Sequence, residues 1–293
     1  MTRLELLMVA LTLGAWVPGL RLLAEAWRAN EFSTHGFLVP FVALWSATAH
    51  RAAMANLPVE PMPGARLLLA LCAVGYLVSL GLREATGLGV VFVATVVALV
   101  LVLRGKAWVS LLRFPLGYLA FMIPLPIAWV TPLIVGLQLL ASTLAVRFLQ
   151  ALGVAIHREG NVLVLPGDVS LFVAEACSGI TSLITLIPIG VFIAYFTEST
   201  LRRRLVLVAA VVPIALLGNL VRVVLTVLLA LRYGVDSATK GPLHEWAGVA
   251  TYVVGCLGLL GLGAILRRVW PEDGGDADPG SGAASGPVAT ASS

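Results

Sequence analysis

The chain has 293 residues, of which 59% are hydrophobic and 12% charged, and its mean hydropathy is +1.00. Soluble domains carry about twice that share of charge, so a water-soluble globular fold is excluded and an all-α integral membrane protein is implied. The formal charge is +4 and Arg outnumbers Lys 17 to 2, but the basic residues are scattered and form no nucleic-acid-binding stripe. The three cysteines, Cys72, Cys177 and Cys256, include no C-x-x-C pair and have no histidine at ligand spacing. Neither a disulfide framework, a metal nor a cofactor is indicated.

Apolar runs of about 20 residues, bounded by charge or by Pro/Gly clusters, predict helices near 4–23, 36–50, 66–82, 87–103, 114–150, 178–197, 205–231 and 245–266. The first run follows Arg3 and precedes Ala24-Glu25-Ala26, which imitates a signal peptide. Seven further apolar runs make an uncleaved first helix the simpler reading. The fifth run is too long for one crossing, and Pro124, Pro126 and Pro132 interrupt it. Because proline removes a helix donor and clashes with the preceding turn, one half is expected to cross while the other lies at the interface or re-enters. That gives about eight transmembrane helices. Residues 156–176 alternate apolar and polar around a Pro-Gly-Asp turn, a period of two that predicts a short outer β-hairpin. From 271 to 293 the composition changes to Gly, Ser, Ala, Asp and Pro, as in a disordered cytoplasmic tail. The chain thus divides into a polytopic membrane domain, 1–270, and that tail.

With both termini cytoplasmic, eleven basic residues fall inside and eight outside. The outer set is nearly balanced by Glu25, Glu31, Glu84, Glu159, Asp168, Glu175, Asp236 and Glu245. Arg202, Arg203 and Arg204 sit together in a short loop and place the start of helix 178–197 and the end of helix 205–231 on the outer side.

Three chemically capable residues meet at that level. Cys177, in A-C-S-G-I at 176–180, stands at the mouth of a helix, where the positive helix end favours a thiolate. Cys72 and Cys256, in mid-helix, fit small buried hydrophobes. Arg222 interrupts the apolar run 205–231; seventeen residues above Leu205 raise it by roughly 25 Å, near the outer boundary of the hydrocarbon. An arginine inside a span is costly and marks function by default, although a side chain snorkelling to headgroups has the same placement. Asn219 is one turn earlier on the same face. His244, in H-E-W-A-G at 244–248, begins the last span; it suits a proton shuttle and equally an ordinary interfacial histidine. A thiol, a cation and an imidazole at one depth are the parts of acyl transfer.

At these residues the sequence resembles the exosortase/archaeosortase family, integral-membrane cysteine enzymes that process C-terminal sorting signals of exported proteins. The resemblance rests on A-C-S-G-I at 176–180, G-N-L-V-R at 218–222 and H-E-W-A-G at 244–248, in the family's order. W-R-A-N-E-F-S-T-H-G at 27–36, F-M-I-P-L-P at 121–126 and L-Q-L-L-A-S at 137–142 are similar to further family regions. It implies a catalytic triad of Cys177, Arg222 and His244, in a protease or transpeptidase of the cytoplasmic (inner) membrane working at the outer, periplasmic face without a cofactor. The implied substrates are exported proteins ending in a short motif (PEP-CTERM-like), a transmembrane helix and a basic tail, with a lipid or glycan acceptor and no nucleic acid. Thr181 stands where many members carry a basic or amide residue, which bears on substrate subclass. Trp27, Ser33 and His35 on the first outer loop, with Asn219, are candidate pocket residues; an interfacial aromatic and polar belt would look the same.

The competing reading is a multi-pass transporter or a non-catalytic component of exopolysaccharide export, with Arg222 and Asn219 lining a polar path. Against it, the chain shows no internal repeat, and its polar residues gather toward one face.

Overall fold

The computed structural model describes residues 2–160, 162–166, 169–172, 179–239 and 242–271, and the described residues are mostly helical, at 81%. Among the described residues, those up to Pro126 form one compact unit and those from Ile127 to Pro271 a second. Five helices among the described residues are long and apolar enough to cross a membrane, and two shorter apolar helices accompany them.

The first unit begins with α1 (Arg3–Ala29), which opens on a capping box between Thr2 and Glu5. Next come α2 (Val39–Thr48) and α3 (Arg51–Asn56). The span predicted at 36–50 is therefore not one helix. The ten residues of α2 rise about 15 Å, half the hydrocarbon thickness, and the chain leaves helical geometry at His50 before α3 starts. Helices α4 (Ala65–Gly81) and α5 (Ala85–Leu103) form an antiparallel pair. Trp16 of α1 packs on Tyr76 of α4 and Phe92 of α5, with ring centroids 4.5 and 5.1 Å away. At one end of the unit Arg104 pairs with Glu5 at 2.9 Å.

The long apolar stretch predicted at 114–150 is also divided. Short helices α6 (Lys106–Leu111) and α7 (Arg113–Tyr118) and a 3-10 turn (Leu119–Met122) run back along α5 until Ile123 lies against Gly89. A non-helical strap over 123–126 follows, and α8 (Ile127–Ala151) opens the second unit with Pro132 inside it. The break therefore falls at the closely spaced Pro124 and Pro126. The isolated Pro132 removes a single donor, which an apolar helix tolerates.

After α8 the predicted hairpin is a three-stranded antiparallel sheet in the order β1-β2-β3: β1 (His157–Glu159), β2 (Val162–Leu165) and β3 (Val169–Phe172). The register pairs Leu163 with Leu171, and these two with Leu165 turn inward onto Ala145, Leu149, Val223 and Val227. Three long elements complete the unit: α9 (Gly179–Thr197), α10 (Leu201–Tyr233) and, after the short α11 (Val235–Thr239), α12 (Pro242–Val269). A second core cluster joins α9, α10 and α12 through Leu186, Leu207, Val211, Ala215 and Leu259. Apart from Pro271, the tail predicted at 271–293 lies outside the described residues.

Candidate functional site

Helix α10 is the axis of the second unit. Leu207, Val211, Ala215, Asn219, Val223 and Val227 recur every four residues and are all buried, so they form one stripe facing the protein. Leu217, Val221, Leu225 and Leu228 are exposed, the lipid-facing side of an apolar helix. The first three residues of the buried stripe belong to the cluster shared with α9 and α12. Val223 and Val227 belong to the cluster under the sheet. Asn219 stands at the seam between the two.

Two glycines bring α12 close to α10 beside this seam. A β-carbon on Gly218 would meet Thr251 at 3.0 Å, and one on Gly248 would lie 3.5 Å from Nη2 and 3.7 Å from Cζ of Arg222. The half-buried Arg222 thus lays its guanidinium on the side-chain-free surface of Gly248. Its carbonyl accepts a hydrogen bond from Thr226 at 2.9 Å. His244 is one turn before Gly248 on the same helix; its side chain is outside the described set, and so is Cys177 with its neighbours 173–178. The structure therefore describes Arg222 and Asn219 as one face of α10, next to the helix that carries His244. Asn219 is 5% exposed, and its Oδ1 is buried with no hydrogen-bond partner among the described residues.

The remaining candidates belong to the first unit. Trp27 is 5% exposed and donates from Nε1 to the carbonyl of Met122 at 2.9 Å. Its indole lies over Gly36, where a β-carbon would clash with the ring. His35 has Nε2 3.0 Å from the carbonyl of Phe121, and Thr86 donates to the carbonyl of Pro124 at 2.7 Å. These three side chains hold the end of the 3-10 turn and the start of the strap that leads to α8, satisfying carbonyls that the interrupted helix leaves open. Burial pushes the His35 imidazole below its ordinary range, against the smaller opposing effect of the Phe121 and Phe32 carbonyls. With Nε2–H donating to Phe121, the neutral ring is the form that fits. Ser33 is buried in the 3-10 turn Glu31–Phe37 that also carries His35.

Sequence reasoning missed Glu198. Its side chain is fully buried between Arg203, whose Nε is 3.6 Å away, and Arg267. Arg204 donates from Nε to the Glu198 carbonyl at 2.8 Å, and Arg202 stacks on Trp270 at 4.0 Å. Of the arginines expected as a topological signal, Arg203 thus also pairs, together with Arg267, with a buried carboxylate that ties together the ends of α9, α10 and α12. The signal was available: Glu198 is the one acidic residue next to the Arg202–Arg204 run.

A family model described as transmembrane exosortase matches residues 27–261. No curated protein and no solved structure matches the chain.

Proposed function

The chain belongs to the transmembrane exosortase family, and from that membership we propose that it is a membrane-embedded cysteine protease or transpeptidase cleaving C-terminal sorting signals of exported proteins at the outer face of the cytoplasmic membrane. A membrane transpeptidase-type role follows from the family itself. The finer reading assigns Cys177 as nucleophile, Arg222 as oxyanion-stabilising cation and His244 as proton shuttle. The observation that carries it is the guanidinium of Arg222, held against Gly248 one helical turn from His244. A cation set inside an apolar helix, with its planar face lodged on a neighbouring helix, differs from one that merely reaches for headgroups.

In this mechanism His244 takes the Cys177 proton as sulfur attacks the scissile carbonyl. Arg222 balances the charge that develops on the carbonyl oxygen, where a preorganised donor acts most strongly. Collapse breaks the C–N bond, and His244 returns the proton to the departing amine, which leaves with the substrate's transmembrane helix. The thioester then passes to an amine of a lipid or glycan acceptor, or to water, regenerating the thiol.

The test is a reporter exported with a C-terminal motif, an apolar helix and an Arg-rich tail taken from the same genome, co-expressed with cysteine variants. Cys177→Ala is expected to abolish processing at unchanged membrane abundance, whereas Cys72→Ala and Cys256→Ala remain active. Normal processing by Cys177→Ala would remove the catalytic assignment. Labelling intact cells with a thiol reagent separates the competing transporter class, which needs no hyper-reactive cysteine.

A further inference from the structure

Asn219 breaks a rule that the rest of its stripe obeys. At every other position from Leu207 to Val227 the four-residue repeat places an aliphatic side chain between helices, and an aliphatic at 219 would fuse the two core clusters into one. Instead the stripe holds an amide that is 5% exposed and whose Oδ1 has no hydrogen-bond partner among the described residues. A buried acceptor left unmatched costs more than a same-shaped apolar group would, and inside a membrane water offers no compensation. Such an acceptor is explained by a donor that arrives with a ligand.

The position selects the donor. Asn219 is on the same face as Arg222 and three residues nearer the Arg202–Arg204 end of α10, hence about 4.5 Å deeper along the helix. A substrate whose scissile carbonyl meets Arg222, and whose transmembrane helix follows the scissile bond, places the first turn of that helix deeper than the bond. The first four N–H groups of any helix have no partner within it, and asparagine is among the side chains that best satisfy them. We propose that Asn219 caps the incoming helix in trans, its Oδ1 accepting a backbone N–H from the first turn of the substrate's transmembrane segment on the leaving-group side of the scissile bond. This rests on the catalytic reading above and deepens it. The enzyme recognises where an apolar helix begins, and by its distance from Arg222 sets how far before that start the chain is cut. Asn219 is a positioning residue, acting on substrate register.

The experiment uses the full chain and the same exported reporter. Asn219→Leu fills the seam with an apolar group of similar volume, so its thermal stability in detergent is expected to be retained or raised. Its processing is expected to fall about tenfold, the loss of one hydrogen bond. A second measurement does not depend on turnover. With Cys72, Cys177 and Cys256 replaced by Ala and Asn219→Cys introduced, single cysteines are scanned through the reporter from four residues before the scissile bond to two turns into its helix. Under a mild oxidant, crosslinks are expected within the first helical turn. Wild-type processing by Asn219→Leu, or crosslinks confined to residues before the scissile bond, would overturn the proposal. Should Cys177→Ala still process the reporter, the catalytic reading fails on its own, and the crosslinking pattern still decides the role of Asn219.

Discussion

The guanidinium of Arg222 rests on Gly248, with three of its atoms 3.5 to 3.8 Å from where a β-carbon would be. Two glycine-bearing motifs, G-N-L-V-R and H-E-W-A-G, thereby become one contact between helices. A methyl at 248 makes ordinary van der Waals contact, so Gly248→Ala is expected to process substrate near the wild-type rate and, by helix propensity, to gain up to about 1 kcal/mol of stability. Gly248→Leu pushes the guanidinium aside, and turnover is expected to fall about 10²–10³-fold, the loss typical of one oxyanion donor. Arg222→Lys should show the same loss, since a point charge does not replace a planar fork. Initial rates at matched membrane abundance check all three; wild-type turnover in Arg222→Lys would reduce that residue to an anchor.

Glu198 is expected to matter for stability. Its carboxylate is fully buried with Arg203 and Arg267 as ion-pair partners. Breaking a buried pair by removing one member costs about 3–5 kcal/mol. Glu198→Ala should therefore melt well below the wild type in detergent and accumulate poorly in membranes. Glu198→Gln, which keeps the shape and an acceptor, should fall between the two. A thermal shift series across the three proteins measures this, and equal melting of all three would show the carboxylate to be dispensable.

His35 gives the first unit an acid-sensitive element. Its imidazole titrates below the ordinary value of 6.5 because it is buried. The unfolded chain therefore takes up the proton first as pH falls. Above the ordinary histidine range both states are neutral and nothing is lost; stability declines as pH drops through about 6.5 toward the folded-state value. His35→Gln keeps a donor for the Phe121 carbonyl and has no proton to bind. Melting temperatures from pH 8 to pH 5 should converge for the two proteins as pH falls, and a gap that stays constant would rule out His35 as the source.

Within the second unit the sheet, the C-terminal ends of α8 and α10, and α11 share one core, while Glu198, Arg203 and Arg267 mark the opposite end. Reporter fusions near Glu159 and Asp236 should therefore agree with one another and disagree with fusions after Arg204 and Arg268. By the positive-inside rule the arginine end is expected to report cytoplasm. A cytoplasmic signal at Glu159 would put Cys177 on the wrong side for exported substrates.

Several of these features were legible in the residues alone. The spans around α1, α4, α5, α9, α10 and α12 were visible as apolar runs, and the period of two announced strands after α8. The errors have physical causes. Residues 36–50 are apolar enough to cross, but hydropathy does not report where backbone geometry breaks, and at His50 it does. Three prolines looked equivalent in the stretch 114–150, yet only the pair at 124 and 126 opens the helix, where Trp27, His35 and Thr86 take up the carbonyls of Met122, Phe121 and Pro124.

Composition and order determined the membrane class and the approximate helices, and singled out the residues proposed for the chemistry, since the cost of exposing apolar surface to water and of burying charge in lipid is written residue by residue. Neighbours are another matter. In a bilayer both faces of a helix are apolar, so periodicity no longer says which face meets protein and which meets lipid. Tertiary packing alone decided that Gly248 is the surface under Arg222, that Glu198 is enclosed by arginines and that Asn219 lies between two cores with its oxygen unmatched. Each depends on residues far apart in the chain reaching van der Waals distance.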